Sequence, residues 1–166
     1  MMRRAGLLFA IFALAGCGLR PLYQGGAGSA VATTLGSVTV APIEGQSGWL
    51  MRNKLVERLG EAGTSNPAYR LDVTLDDNIT SFGVRSDQAA TQERRTLRAR
   101  FQLVDLRNGM VVLDATAGSD AGIDIVSSEY ATVAAEQTAL ENLSDIVADQ
   151  ITARVALFAS RTAKAK

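Results

Sequence analysis

The stretch "RRTLRARFQLVDL" (residues 94–106) alternates strictly, with Arg95, Leu97, Ala99, Phe101 and Leu103 on one side and Arg94, Thr96, Arg98, Arg100 and Gln102 on the other. Side chains in an extended chain point to opposite faces with a period of two, so this pattern predicts a half-buried strand. "RNG" (107–109) supplies a turn, and "MVVLDATAG" (110–118) returns as a second strand with Val111, Leu113 and Ala115 expected inward. Upstream, "YRLDVTLDDNI" (69–79) alternates in the same way, with Tyr69, Leu71, Val73 and Leu75 on its apolar side. Three such strands in sequence predict an antiparallel meander.

The flanking segments provide what must cover the apolar side. "SVTVAPI" (37–43) reads as a short strand that Pro42 ends or places near an edge. In "SGWLMRNKLVERLG" (47–60), Met51, Leu55 and Leu59 recur every four residues, with Ser47 as a candidate N-cap and Gly60 as a stop. Trp49 is expected to pack on the core or the helix start, with a place at an interface as the alternative. From Ser128 to Ser160 the chain has no Pro or Gly, and Val133, Leu140, Leu143, Val147, Ile151, Val155 and Phe158 form one long stripe, with Ser127 or Ser128 available as the cap. The expected fold class is therefore α+β: a four-stranded sheet with two helices packed on one face, in the order β-α-β-β-β-α. The expected domain spans 37–160, followed by a polar tail at 161–166.

Upstream of the domain, Arg3 and Arg4 precede an apolar run from Ala5 to Ala15, which is too short to span a bilayer as a helix, for which roughly 20 residues are needed. Residues 1–16 read as a signal peptide. "LAGC" (14–17) resembles the lipobox of bacterial lipoproteins, which implies that Cys17 becomes an acylated N-terminus. Attachment to membrane lipid through two or more acyl chains is stable. Gly18, where an aspartate would favour inner-membrane retention, implies the outer membrane and its periplasmic face. "QGGAGSAVATTLG" (24–36), rich in small residues, reads as a flexible tether, so that residues 17–36 link anchor and domain.

Composition narrows the function further. The chain has 17 basic and 17 acidic side chains in 166 residues, and loss of residues 1–16 would remove two arginines and no acid. Nonspecific nucleic-acid binding needs a basic surplus, so that class is set aside. Histidine is absent and Cys17 is the only cysteine. This removes the commonest general base and metal ligand and every Ser-His or Cys-His arrangement. Asp76 with Asp77, and Asp120 with Asp124, read as solvated or turn carboxylates. No catalytic residue, metal or cofactor is assigned.

With both helices on one side, the other face of the sheet meets water and carries Arg94, Arg98 and Arg100. Guanidinium groups bind phosphate bidentately, so the row is a candidate contact for an anionic glycolipid. The competing expectation is cross-strand pairing with Asp72 and Asp76.

Two terminal motifs resemble a known family. "CGLRPLY" (17–23) is similar to the start of the lipopolysaccharide-assembly lipoproteins called LptE, and "SSEYATVAAEQTALENLSDIVADQITARVALF" (127–158) resembles that family's final helix. Thr138 stands where many relatives have an acidic residue. The resemblance implies two helices on a four-stranded sheet and a non-catalytic role. It also implies a complex with the β-barrel LptD, whose lumen such proteins plug, whose assembly they assist, and through which lipopolysaccharide reaches the outer leaflet. An auxiliary lipoprotein of an ABC-type transport or secretion system is the alternative.

Overall fold

The computed structural model describes residues 30–60, 66–84, 90–126 and 128–164. The expected signal peptide and Cys17 lie outside the described residues. Seven elements follow in order: α1 (Ala30–Gly36), β1 (Val38–Val40), α2 (Gly45–Leu59), β2 (Tyr69–Val84), β3 (Ala90–Asp105), β4 (Met110–Asp124) and α3 (Glu129–Lys164). The four strands form one sheet in the order β1-β2-β3-β4. β1 runs parallel to β2, and β2, β3 and β4 form the antiparallel meander expected from their alternation. The fold class is α+β with a mixed four-stranded sheet, and the described residues include three helices rather than two.

The apolar parity of β3 carries the core. Leu97, Phe101 and Leu103 are fully buried, and so are Met51 and Leu55 of α2 and Val147, Ile151 and Val155 of α3. α2 packs over β1 and β2, and α3 over β4 and β3. Each long helix leaves a strand of the same direction, so both return the same way and lie parallel. Gln46 faces Gln137, Lys54 faces Asp145 and Arg58 faces Asp149, every pair 91 residues apart. Arg58 donates to Asp149 at 2.5 Å and to Asp145 at 2.9 Å. Burial pushes the Asp145 carboxyl up, but hydrogen bonds from Lys54 and Arg58 outweigh it and hold it below the ordinary carboxylate range.

The third helix corrects the last seven residues of the expected tether, Ala30–Gly36, while residues 17–29 lie outside the described residues. Val31 and Leu35, four residues apart, join the core cluster, and α1 packs against α3. Seven residues make no stable helix alone; tertiary burial of these two side chains holds it. At the other end, α3 runs on through residues 161–164, which the composition assigns to a polar tail. Its buried stripe begins at Ala139 and Leu140, and Val133 in the first turns is exposed. Ser128 directly precedes α3, and its carbonyl accepts from the amides of Ala131 and Thr132. α2 begins at Gly45, with Glu44 rather than Ser47 in the capping position and no side-chain cap bond, and it stops at Gly60, whose φ of 87° suits glycine. Trp49 is exposed rather than packed on the core.

One further departure lies in β4. The β3–β4 register shifts at Leu103 and Val104: Leu103 pairs with Leu113, but Val104 pairs with Val111. This bulge turns Val111 away from the core, leaving it 49% exposed, while Val112 packs against the core cluster.

Candidate functional site: the uncovered face of the sheet

The face of the sheet opposite the two long helices carries the outward parity of β2, β3 and β4. On β3 it presents Arg94, Arg98 and Arg100, as the alternation predicts. The registers set Arg94 beside Thr80 and Gly122, Arg98 beside Asp76 and Gly118, and Arg100 beside Thr74 and Thr116. Direct neighbours are not the partners, however. Arg98 Nη2 donates to both carboxylate oxygens of Asp120 at 3.1 Å, and its Nη1 donates to the Ser119 carbonyl at 3.0 Å. Arg100 binds Asp114 through Nη2 at 2.9 Å and Nε at 3.3 Å. Arg94 lies over the Phe82 ring, 5.4 Å from its centroid, a cation–π contact.

The expected pairing with Asp72 and Asp76 is therefore corrected. Asp72 is engaged by Arg70 of its own strand, at 2.7 and 2.8 Å. The carboxylates that serve the arginine row come from β4 and reach it diagonally. Thr96 and Arg98 hold the Asp120 carboxyl below its ordinary pKa, and Arg100 with Gln102 does the same for Asp114. Asp114 and Asp120 share the outward parity of β4, and that spacing was the available signal in the sequence.

Gly118 makes the Arg98 geometry possible. A Cβ at this position would stand 2.5 Å from Arg98 Cδ, so only glycine lets the arginine lie across β4 toward Asp120. The same residue receives α3 at the free edge of the sheet. The Gly118 amide donates to Gln150 Oε1 at 3.1 Å, and Gln150 Nε2 donates to the Gly118 carbonyl at 3.3 Å. This side-chain amide satisfies an edge strand that would otherwise offer unpaired backbone groups. Together with Arg154, these residues border a shallow depression of about 630 Å³ floored by Thr74, Arg98, Arg100 and Thr116.

The carboxylates weighed as possible acid/base pairs do not converge. Asp76 points outward while Asp77 points to the helix side, where it accepts from Arg95 at 2.7 and 2.8 Å. Asp120 serves Thr96 and Arg98, and Asp124 accepts from Gln92. The arrangement suits binding to a charged or polar surface: guanidinium groups are held in place yet accessible, with Arg100 66% exposed.

The same architecture occurs in solved lipoproteins. A lipoprotein from Caulobacter crescentus CB15 superposes with a TM-score of 0.64 at 26% identity, covering 78% of this chain and 96% of that one. The minor lipoprotein from Acinetobacter baumannii gives 0.58 at 16% identity, covering 73% and 91%. Lipoprotein B from Nitrosomonas europaea gives 0.56 at 12% identity, covering 74% and 82%; at such low identity these two show the fold alone. No curated protein sequence matches the chain. The family model described as LptE, Lipopolysaccharide-assembly, matches residues 35–155, which run from the end of α1 deep into α3, and the chain is a member of the LptE family.

Proposed function

We propose that the protein is an outer-membrane lipoprotein, acylated at Cys17, that complexes with and plugs the LptD β-barrel. In this role it supports assembly of the barrel and delivery of lipopolysaccharide to the outer leaflet. The observation that carries the reading is the lipopolysaccharide-assembly family match across the whole sheet, α2 and most of α3. The geometry agrees with a binding subunit. One face of the sheet is sealed by α2 and α3, and the other is a polar, ion-paired surface over strands of 15 and 16 residues. A lumen too wide to be filled by a barrel's own side chains needs such an occupant.

Arg94, Arg98 and Arg100 are the proposed contacts for lipopolysaccharide phosphates. The carboxylate partners of Arg98 and Arg100 are surface groups, and exposed ion pairs contribute little to stability. A multivalent phosphate can therefore replace the aspartates of Arg98 and Arg100 at little cost.

The test is purification of the tagged protein from detergent-solubilised outer membranes, with mass spectrometry of stoichiometric partners. Recovery of a large β-barrel at equal stoichiometry supports the plug. Recovery of an inner-membrane transporter instead moves the protein to the auxiliary-lipoprotein class, and recovery of no partner removes the plug reading. Changing Arg94, Arg98 and Arg100 together to Ala is expected to lower copurifying lipopolysaccharide while leaving barrel recovery intact.

A further inference from the structure

The two ends of the molecule differ in chemistry. At one end lie the start of β1, Tyr69 of β2, Asp105 of β3, Met110 of β4 and Phe158 of α3. Their proximity follows from the pairs Val38–Tyr69, Tyr69–Asp105 and Asp105–Met110 and from the Tyr69–Phe158 ring contact at 5.9 Å. Here Leu106, Met110 (63% exposed) and Val111 stand out from the β3–β4 turn, Val111 because the bulge re-aims it. Leu157 is exposed on the last turns of α3, where a groove runs between Val112 and Arg161.

Charge at this end is one-sided. From Arg154 to Arg161 the last described turns of α3 carry these two arginines and no acid. The Arg107 guanidinium is 72% exposed above an Asp105 carboxylate that is only 6% exposed. The other acids nearby are engaged, Asp72 by Arg70 and Asp114 by Arg100. The opposite end holds Glu93, Asp124, Glu129 and Glu136, with Arg94 stacked on Phe82 and Arg95 paired to Asp77.

The chain also enters at the basic end. Ser37 follows α1 directly, and its carbonyl accepts from Ala68 and Tyr69. Seven helical residues advance about 10 Å, so Ala30 lies close by. The thirteen peptide steps from Cys17 to Ala30 span at most about 45 Å. β2 carries the far end of the sheet about 50 Å away, at roughly 3.3 Å per residue. An anchor at Cys17 therefore reaches the basic end with slack, and the far end only by running fully extended along the molecule.

We infer that this end is a second membrane contact: Leu106, Met110, Val111 and Leu157 enter the headgroup and acyl boundary of the bilayer that holds the Cys17 chains. Arg107 and Arg161 meet lipid phosphates. An apolar tip rimmed by long basic side chains is the composition of an interfacial surface, since their stems lie on apolar material while the charges reach phosphate. The inference rests on the acylated-anchor reading, and the experiment separates the two.

With its sulfur in a thioether, Cys17 takes no thiol reagent, so Met110→Cys carries a unique environment-sensitive fluorophore, and Tyr130→Cys at the far end, 92% exposed, is the control. The full acylated proteins are reconstituted on vesicles of phosphatidylethanolamine and phosphatidylglycerol containing lipids brominated near the headgroup. The expected result is blue-shifted emission at position 110 with several-fold stronger quenching than at 130, diminished by Arg107→Glu with Arg161→Glu. Equal quenching at the two positions, or stronger quenching at 130, overturns the inference. If Cys17 itself takes the label, the anchor reading has failed. Flotation of that unacylated protein with the same vesicles then decides: flotation lost on charge reversal supports the surface, and absence of flotation overturns it.

Discussion

Arg95 and Asp77 form a bidentate ion pair on the helix side of the sheet, at 2.8 Å and 2.7 Å, and Arg95 also donates to the Glu136 carbonyl at 2.9 Å. The side chains are 12% and 17% exposed, so α3 is tied to β2 and β3 by a largely desolvated charge pair. Breaking such a pair strands the other charge. Asp77→Leu is expected to cost about 2–4 kcal/mol, somewhat below the range for fully buried pairs. The double variant Arg95→Met, Asp77→Leu is expected to lose much less than the two single losses combined. Denaturant unfolding of the four proteins in a cycle measures this.

The close approach of Gly118 to Arg98 makes a second expectation. Gly118→Ala drives Arg98 off Asp120, while the Thr96 hydroxyl, 2.7 Å from Asp120, stays in place. The Asp120 pKa is then expected to move part of the way back up toward its ordinary value, because its Thr96 bond survives and its Arg98 bonds do not. A carboxyl-carbon NMR titration of Asp120 in the two proteins reads the change; an unmoved pKa would show that Arg98 does not act on Asp120.

Acid sensitivity follows from Asp105. Side-chain hydrogen bonds from Arg107, followed by the Arg107 amide, lower its pKa from 3.8 to about 2. A carboxyl depressed in the folded state contributes stability above its unfolded pKa and loses it as pH falls through the folded one. Thermal unfolding midpoints should therefore fall between about pH 4 and pH 2. In Asp105→Asn that segment of the profile is expected to flatten, with part of the stability already missing at neutral pH.

α1 belongs to the folded domain by the burial of Val31 and Leu35. Leu35→Ala is expected to destabilise by about 2–4 kcal/mol, in the range of buried leucine truncations. A chain begun at Ser37 should unfold at lower denaturant than one begun at Ala30, and equal midpoints would place α1 outside the cooperative unit.

The sequence by itself determined the strands, the two long helices and the faces they bury. Period-two alternation on residues 69–79 and 94–106, and the stripe from Leu140 to Phe158, are local properties that survive any choice of neighbour. The same parity placed Arg94, Arg98 and Arg100 on the uncovered face. Only the tertiary structure decided what those side chains meet. Cross-strand partners depend on register and on diagonal reach, so Arg98 and Arg100 bind Asp120 and Asp114 of β4 rather than Asp72 and Asp76 of β2, and Arg94 meets Phe82. A bulge at Leu103 and Val104 turned Val111 outward, and no local period records an inserted residue. Arg95 shares the parity of the core and is held there by a charge 18 residues away. α1 was invisible for the same reason: Val31 and Leu35 make a helix only when the rest of the core is present to bury them.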